Sequence, residues 1–164
     1  LYNDLTFTIR SSKEYPEQSI KMDEFIMERV EYFTPLASTK NINFVKELNK
    51  SQIMINKIVI TRIVDNLLSN AIKYNKVNGT VKIVLQEDSL CIIDTGIGFE
   101  QSKSKEIFER YIRLDESNGG FGLGLSIVKS LCDLHKIKID VKSQVDVGTT
   151  FTLFWNNSLI IHST

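Results

Sequence analysis

The sequence predicts an α/β domain: a mixed sheet with helices packed on one of its faces. Apolar residues recur at helical spacing in some segments and alternate with polar ones in others, and the two patterns interleave along the chain. The 164 residues, 42% hydrophobic and 24% charged, suit one globular domain with a sizeable core. Twenty basic side chains balance twenty acidic ones, so the overall charge recruits neither nucleic acid nor an acidic membrane surface.

Leu1, Leu5 and Ile9 fit the end of an amphipathic helix that begins upstream, and the chain opens on Leu instead of Met. It is therefore expected to start inside a longer protein. Pro16 interrupts the pattern, which divides the chain into a preceding helix and linker (1–18), a body (19–156) and a tail without a strong signal (157–164). Behind Asp23, an expected N-cap, Met22, Ile26, Val30, Phe33 and Ala37 predict a helix over 24–38. Ile42, Phe44 and Leu48 alternate as in a half-buried strand, 53–55 is a second short one, and Asn56 is placed to cap the next helix, over 57–75.

That helix is the most informative segment. At about 100° per residue, Ile60, Val64, Leu67, Leu68 and Ala71 share one side, and Arg62, Asn66, Asn70 and Lys73 the other. The apolar side is core and the amide side is available. A turn at Asn78-Gly79 leads to a strand with Val81, Ile83 and Leu85, and Asp88-Ser89 turns into a second strand over 90–94, making a hairpin. Residues 96–122 are rich in charge and glycine, with a short helix around 103–110, and read as a long mobile loop; such loops in compact domains are usually functional. A helix over 123–135 follows, then strands over 138–143 and 149–155 joined near Gly148. Cys91 and Cys132 lie in apolar stretches, which suits reduced core thiols and a cytoplasmic setting. No apolar run approaches the roughly 20 residues that span a bilayer, and no secretion-signal pattern is present.

Three pieces carry chemistry. Asp94-Thr95-Gly96-Ile97-Gly98 ends a buried strand: a carboxylate there can accept from an exocyclic amine, and the glycines let a flat ring approach the backbone. By itself the string also describes a turn that closes a strand. Residues 119–126, Gly-Gly-Phe-Gly-Leu-Gly-Leu-Ser, run from the loop into a helix, where exposed amides and the helix dipole attract phosphate; a flexible hinge is the alternative. The spacing is neither a Rossmann fingerprint nor a P-loop. On the polar side of helix 57–75, Asn66 and Asn70 place two amide oxygens one turn apart, suited to Mg²⁺, and Lys73 reaches for a phosphate; taken singly, this is an ordinary solvated face.

Together and in this order, the pieces resemble the sequence boxes of the family that groups histidine kinases, gyrase-type topoisomerases, the ninety-kilodalton heat-shock chaperones and mismatch-repair ATPases. The N box is similar to Asn-Leu-Leu-Ser-Asn-Ala-Ile-Lys-Tyr at 66–74, the first glycine box to 94–98 and the second to 120–124. Ile-Phe-Glu-Arg-Tyr-Ile-Arg at 107–113 looks like the F box of histidine kinases, and Val-Gly-Thr-Thr-Phe at 147–151 resembles the third glycine segment. The resemblance implies a two-layer α/β sandwich of the Bergerat type with a long ATP lid over 97–121. It implies that Asp94 binds the adenine amino group, Asn70 coordinates Mg²⁺ with Asn66 nearby, Lys73 meets the phosphates and Tyr74 packs by the nucleotide. Gly96, Gly98, Gly120, Gly122, Leu123, Gly124, Leu125 and Thr149 would line the ATP site, and Arg110 or Arg113 would neutralise charge on the γ-phosphate. Asp146 departs from the glycine common in the third segment, and the lid between Arg113 and Gly119 is short.

One position separates kinases from hydrolases within that family. Hydrolysing relatives carry a glutamate one turn before the Mg²⁺ asparagine, as general base on water; this chain has Asn66, and an amide takes no proton at neutral pH. The resemblance therefore implies transfer of the γ-phosphoryl group to a histidine on a dimerising helical hairpin upstream. A response regulator would follow, in a parent that is homodimeric and is a candidate membrane-anchored sensor. His135 and His162 do not fit the acceptor: one flanks a helix and one lies in the tail. The alternatives are a catalytically silent nucleotide-binding module and a serine kinase or weak ATPase on the same fold.

Overall fold

The structure, a computed structural model, describes residues 6, 9–10, 14–109 and 122–162, with the backbone alone at 122–123. Thr6, Ile9, Arg10 and Glu14 are helical. The first strand, β1 (Gln18–Lys21), was not expected: it has one apolar residue, Ile20, and so no alternation to read. Its partner supplies the stability, since β1 pairs antiparallel with β3 (Gln52–Ile55), Ile20 opposite Ile53. Helix α1 (Met22–Ser38) starts earlier than the sequence implied. Lys21 stands at the N-cap without a side-chain cap, and Asp23, the expected cap, lies in the first turn, where its charge still meets the positive end of the helix dipole. The Met22 amide is taken instead by Ser51 O at 2.7 Å.

The main sheet has five strands in the order β2-β4-β5-β7-β6: β2 (Asn43–Leu48), β4 (Thr80–Leu85), β5 (Ser89–Asp94), β7 (Gly148–Trp155) and β6 (Ile137–Gln144). Strand β2 runs parallel to β4 because α2 (Lys57–Lys73) lies in the connection between them; the other pairings are antiparallel. The period of two sends Val81, Ile83 and Leu85 of β4, Leu90 and Ile92 of β5, and Phe151, Leu153 and Trp155 of β7 into a single core. Lys82, Cys91, Thr152 and Phe154 point the other way and are more open.

Helix α2 buries Val59, Ile60, Ile63, Val64, Leu67, Leu68, Ala71 and Ile72 against the core, each larger side chain contributing about 2 kcal/mol. Its start is as expected: Asn56 Oδ1 accepts from the amides of Ile58 (2.8 Å) and Val59 (3.3 Å). Helix α3 (Gly122–Leu134) adds Leu125, Val128, Leu131 and Cys132 to the same core. Burial pushes the Cys132 thiol up to about 12, and both cysteines are free, as the sequence suggested. The helix expected at 103–110 is, over its described part, two single 3-10 turns, Gln101–Lys103 and Glu106–Phe108, because its core contacts come from the adjacent Ile107 and Phe108 and no repeat of apolar positions propagates a helix.

After β7 the chain does not leave the body. Asn156 caps a turn over Asn157–Leu159, Leu159 and Ile160 are buried, Ile160 bridges Ile53, and Ile161 N–H donates to Gln52 O at 2.8 Å. Among the described residues no helix is long and apolar enough to cross a membrane. Truncation after Asn156 is expected to cost about 2–4 kcal/mol, because it deletes the buried Leu159 and Ile160 and uncovers Ile53. An unchanged urea midpoint in the shortened chain would contradict that packing.

Candidate functional site

The site is built around the last residue of β5, the middle strand. Asp94 occupies the core-facing register shared by Leu90 and Ile92, so alternation alone carries a carboxylate under the helices, 9% exposed. Its Oδ1 accepts from Gly96 N–H at 2.8 Å and Thr149 N–H at 3.2 Å. Its Oδ2 has no hydrogen-bond partner among the described residues. Burial raises the carboxyl from its ordinary 3.8 to about 6, against the lowering effect of those two amides.

Two glycines allow this crowding. Gly148 has φ +139°, and a Cβ there would run into Asp94 O, so β7 can start beside the carboxylate only without a side chain. A Cβ at Gly96 would strike Tyr74 O, so the floor beside Asp94 is bare backbone. Gly98 lies against Gln144 O, and Thr149 is buried at the start of β7.

The polar side of α2 meets the start of α3. Asn66 Nδ2 donates to Arg62 O at 2.9 Å, and its Oδ1 lies 3.1 Å from where a Cβ of Gly124 would be, so the N-terminal turn of α3 sits directly on the amide. Asn70 is half-buried, and its Nδ2 is a buried polar atom without a hydrogen-bond partner among the described residues. Lys73 is exposed with its ammonium 5.4 Å from the Tyr74 ring centroid, while the Tyr74 ring itself is buried and its backbone O accepts from Ile97 N–H at 3.0 Å. Leu125 is wholly buried; Gly122 and Leu123 begin α3. Arg110, Arg113 and Gly120 lie outside the described residues.

Several residues that shape the site carry no sequence signal. The Lys40 ammonium sits on the carbonyls of Ile72 (3.2 Å), Lys73 (2.6 Å) and Asn75 (3.1 Å), satisfying the open end of α2 where Asn70 and Tyr74 stand. Asn75 ties that end to β4 and the glycine segment, donating to Thr80 O at 3.1 Å and accepting from Thr95 Oγ1 at 3.0 Å. Arg29 holds Asp65 through two bonds of 2.8 and 2.7 Å, fixing α1 to α2. The part of the expected lid that is described, 97–109, is pinned to the sheet through buried Phe99 and Ile107 and a Phe108–Phe151 edge contact at 6.2 Å.

Gly124 on Asn66 and Gly96 against Tyr74 O bring the start of α3 and the end of β5 to helix α2, and comparison with known proteins places the chain in a family. Residues 55–158 match the family described as histidine kinase-, DNA gyrase B- and HSP90-like ATPase. The chain belongs to this family. Histidine protein kinase SaeS of Staphylococcus aureus is 31% identical over 169 residues, covering 93% of this chain and 48% of the relative. The chain therefore spans about half the length of the curated relatives it matches. A mycobacterial sensor histidine kinase, MprB, superposes with a TM-score of 0.76 at 26% identity, over 88% of this chain and 97% of that one. Full-length ShkA in complex with AMPPNP shares the fold at a TM-score of 0.79 and 21% identity, over 90% of this chain and 32% of that one. The α/β architecture expected from the sequence is thus that of histidine kinase ATPase domains.

The carboxylate carries a stability cost that can be measured. Folded Asp94 holds its proton more tightly than the unfolded chain does, so this contribution to stability is complete below 3.8 and is lost as the pH rises through about 6. At pH 7 the ionised group costs the fold on the order of 2 kcal/mol. Asp94→Asn, which keeps an oxygen for the two amides, should stabilise the ligand-free chain by about 1–2 kcal/mol at pH 7 and by nothing near pH 4. Urea titrations at the two pH values check this, and equal or lower stability of the variant at pH 7 would sink it.

Proposed function

We propose that this chain binds Mg-ATP between the polar side of α2, the end of β5 and the start of α3. In the longer protein it then passes the γ-phosphoryl group to a histidine on a dimerising helical hairpin upstream, whose end is residues 1–18. The single observation that carries the nucleotide reading is the half-satisfied Asp94: one oxygen is held by two amides and the other is left to accept from the exocyclic amine of adenine. The bare backbone at Gly96 gives a flat base room beside it. The unpartnered Asn70 amide fits Mg²⁺, since rotating it presents Oδ1, and the bound ion would shield charge on the triphosphate. Lys73 and the amides at the start of α3 would meet the phosphates, joined by Gly120 and by Arg110 or Arg113 from the lid.

Transfer is favoured over hydrolysis by what stands where a base is needed. Asn66 donates through its amide to Arg62 O and cannot take a proton from water. The neighbouring carboxylate, Asp65, is held by Arg29 and offers no substitute. The γ-phosphoryl group is thereby kept for an imidazole, and a response regulator is the next acceptor. His135, whose affinity for protons is lowered by burial at the end of α3, and His162, which pairs with Glu87 at 2.9 Å, are not placed to be that imidazole.

Calorimetry with a non-hydrolysable ATP analogue tests the pocket. Binding should require Mg²⁺ for full affinity, weaken roughly 10- to 100-fold in Asp94→Asn, and fall about tenfold per pH unit once Asp94 protonates below about 6. Unchanged affinity in the variant would remove Asp94 from the site. With radiolabelled ATP, the chain alone should form no acid-labile phosphohistidine and should label a supplied hairpin; stable label on the isolated chain would contradict the assignment, and acid-stable label on a partner would favour a serine kinase.

A further inference from the structure

The described base of the lid and the carboxylate proposed to read the purine meet at one hydroxyl. Ser143, near the end of β6, has its proton and both lone pairs engaged. Phe99 N–H donates to Ser143 Oγ at 2.9 Å, the Oγ donates to Gly148 O at 3.1 Å, and Thr149 Oγ1 lies 2.8 Å away as the remaining donor. Phe99 is buried and leads the segment that runs into the lid; Thr149 is the residue whose amide holds Asp94. Beside this hub, Gln101 treats the edge strand β6 as a partner strand would. Its Oε1 accepts from Ser143 N–H at 2.8 Å and its Nε2 donates to Val141 O at 3.1 Å.

We propose that Ser143 is a positioning residue that couples the base of the lid to Asp94, with Gln101 as a second tie to the sheet edge. The nucleotide role of this coupling rests on the reading above. Between 97 and 109 the buried apolar anchors are Phe99 and Ile107, so the path of the segment depends on these polar ties. Removing the hydroxyl takes one hydrogen bond from each of three groups at once: the Phe99 amide, the Gly148 carbonyl and the Thr149 hydroxyl. Thr149 then loses the contact that fixes it over Asp94, and its bond to the carboxylate is already the longer of the two. Among the described residues, burial, Gly96 N–H and Thr149 N–H set the state of Asp94. A looser Thr149 amide therefore raises the proton affinity of the carboxyl directly.

The test uses the 164-residue chain with Ser143→Ala, Ser143→Thr, Ser143→Cys and Gln101→Met. Three quantities are measured: amide hydrogen exchange over 99–109, the Asp94 midpoint by carbon NMR, and affinity for the ATP analogue. Ser143→Ala should exchange about tenfold faster, raise the Asp94 midpoint by about half a pH unit and bind about five- to tenfold more weakly. Ser143→Thr keeps the hydroxyl and suits a strand, so it should stay near wild type, and Ser143→Cys, a weaker hydrogen-bonding group, should fall between. Gln101→Met should speed exchange and leave the Asp94 midpoint alone. Unchanged exchange and midpoint in Ser143→Ala, or a threonine variant as impaired as the alanine one, overturns the proposal. If Ser143→Ala does not fold, the cysteine and threonine variants decide by the same readouts. A wild-type chain that binds no ATP analogue overturns the nucleotide reading, while exchange and titration still decide the coupling.

Discussion

A buried carboxylate satisfied on one side is the constraint from which the rest of the site follows. Taking Asp94 out of water disfavours its charge, and the two backbone amides on Oδ1 only partly offset that cost, so the group keeps its proton to about pH 6. The surrounding chain is arranged to deliver those amides. Gly148 lets β7 begin against Asp94 O, Gly96 turns its own N–H back on the carboxylate, and the helices above exclude water. The second oxygen accepts from no group among the described residues, so a ligand that donates to it displaces no protein hydrogen bond seen there.

Helix α2 answers this strand with a division of labour. Its apolar side is wholly committed to the core, which fixes its rotation and leaves Asn66 and Asn70 only partly buried. Its start is held by the adjacent Asn56, and its finish by the Lys40 ammonium from far away in sequence. Arg29 takes the neighbouring carboxylate, Asp65, for the α1 interface, so the position facing the pocket is an amide with an acid beside it already engaged. Packing and chemistry are thus coupled, because the side chain that secures the helix is also withheld from acting as a base.

The glycines, the amide pair and Asp94 were legible because each announces itself by residue type: Asp94 ends a short apolar strand, and period 3.6 separated the amides from the apolar stripe. The capping role of Asn56 was legible for the same local reason. Strand β1, the start of α1 and the packing of Leu159 and Ile160 were not. Ile20 sits in a four-residue strand that exists only by pairing with β3, and the α1 entry is satisfied by Ser51 O in place of a local cap. The turn after β7 is covered by Ile53 from the other end of the molecule.

The sequence by itself determined the α/β class, which side of α2 is polar, and the identity of a carboxylate, two amides and glycine-rich turns, since these depend on the backbone period and on what each side chain can donate or accept. Only the tertiary structure decided that Thr149 and Gly96 share one oxygen of Asp94, that Gly124 meets Asn66, and that Lys40 and Ser143 tie the ends together. Apart from Gly96, which lies two residues from Asp94, those contacts join residues tens of positions apart through hydrogen bonds and missing side chains. Such partners leave no periodic trace, because a lysine ammonium or a serine hydroxyl is equally at home in water until folding brings the unsatisfied groups to it.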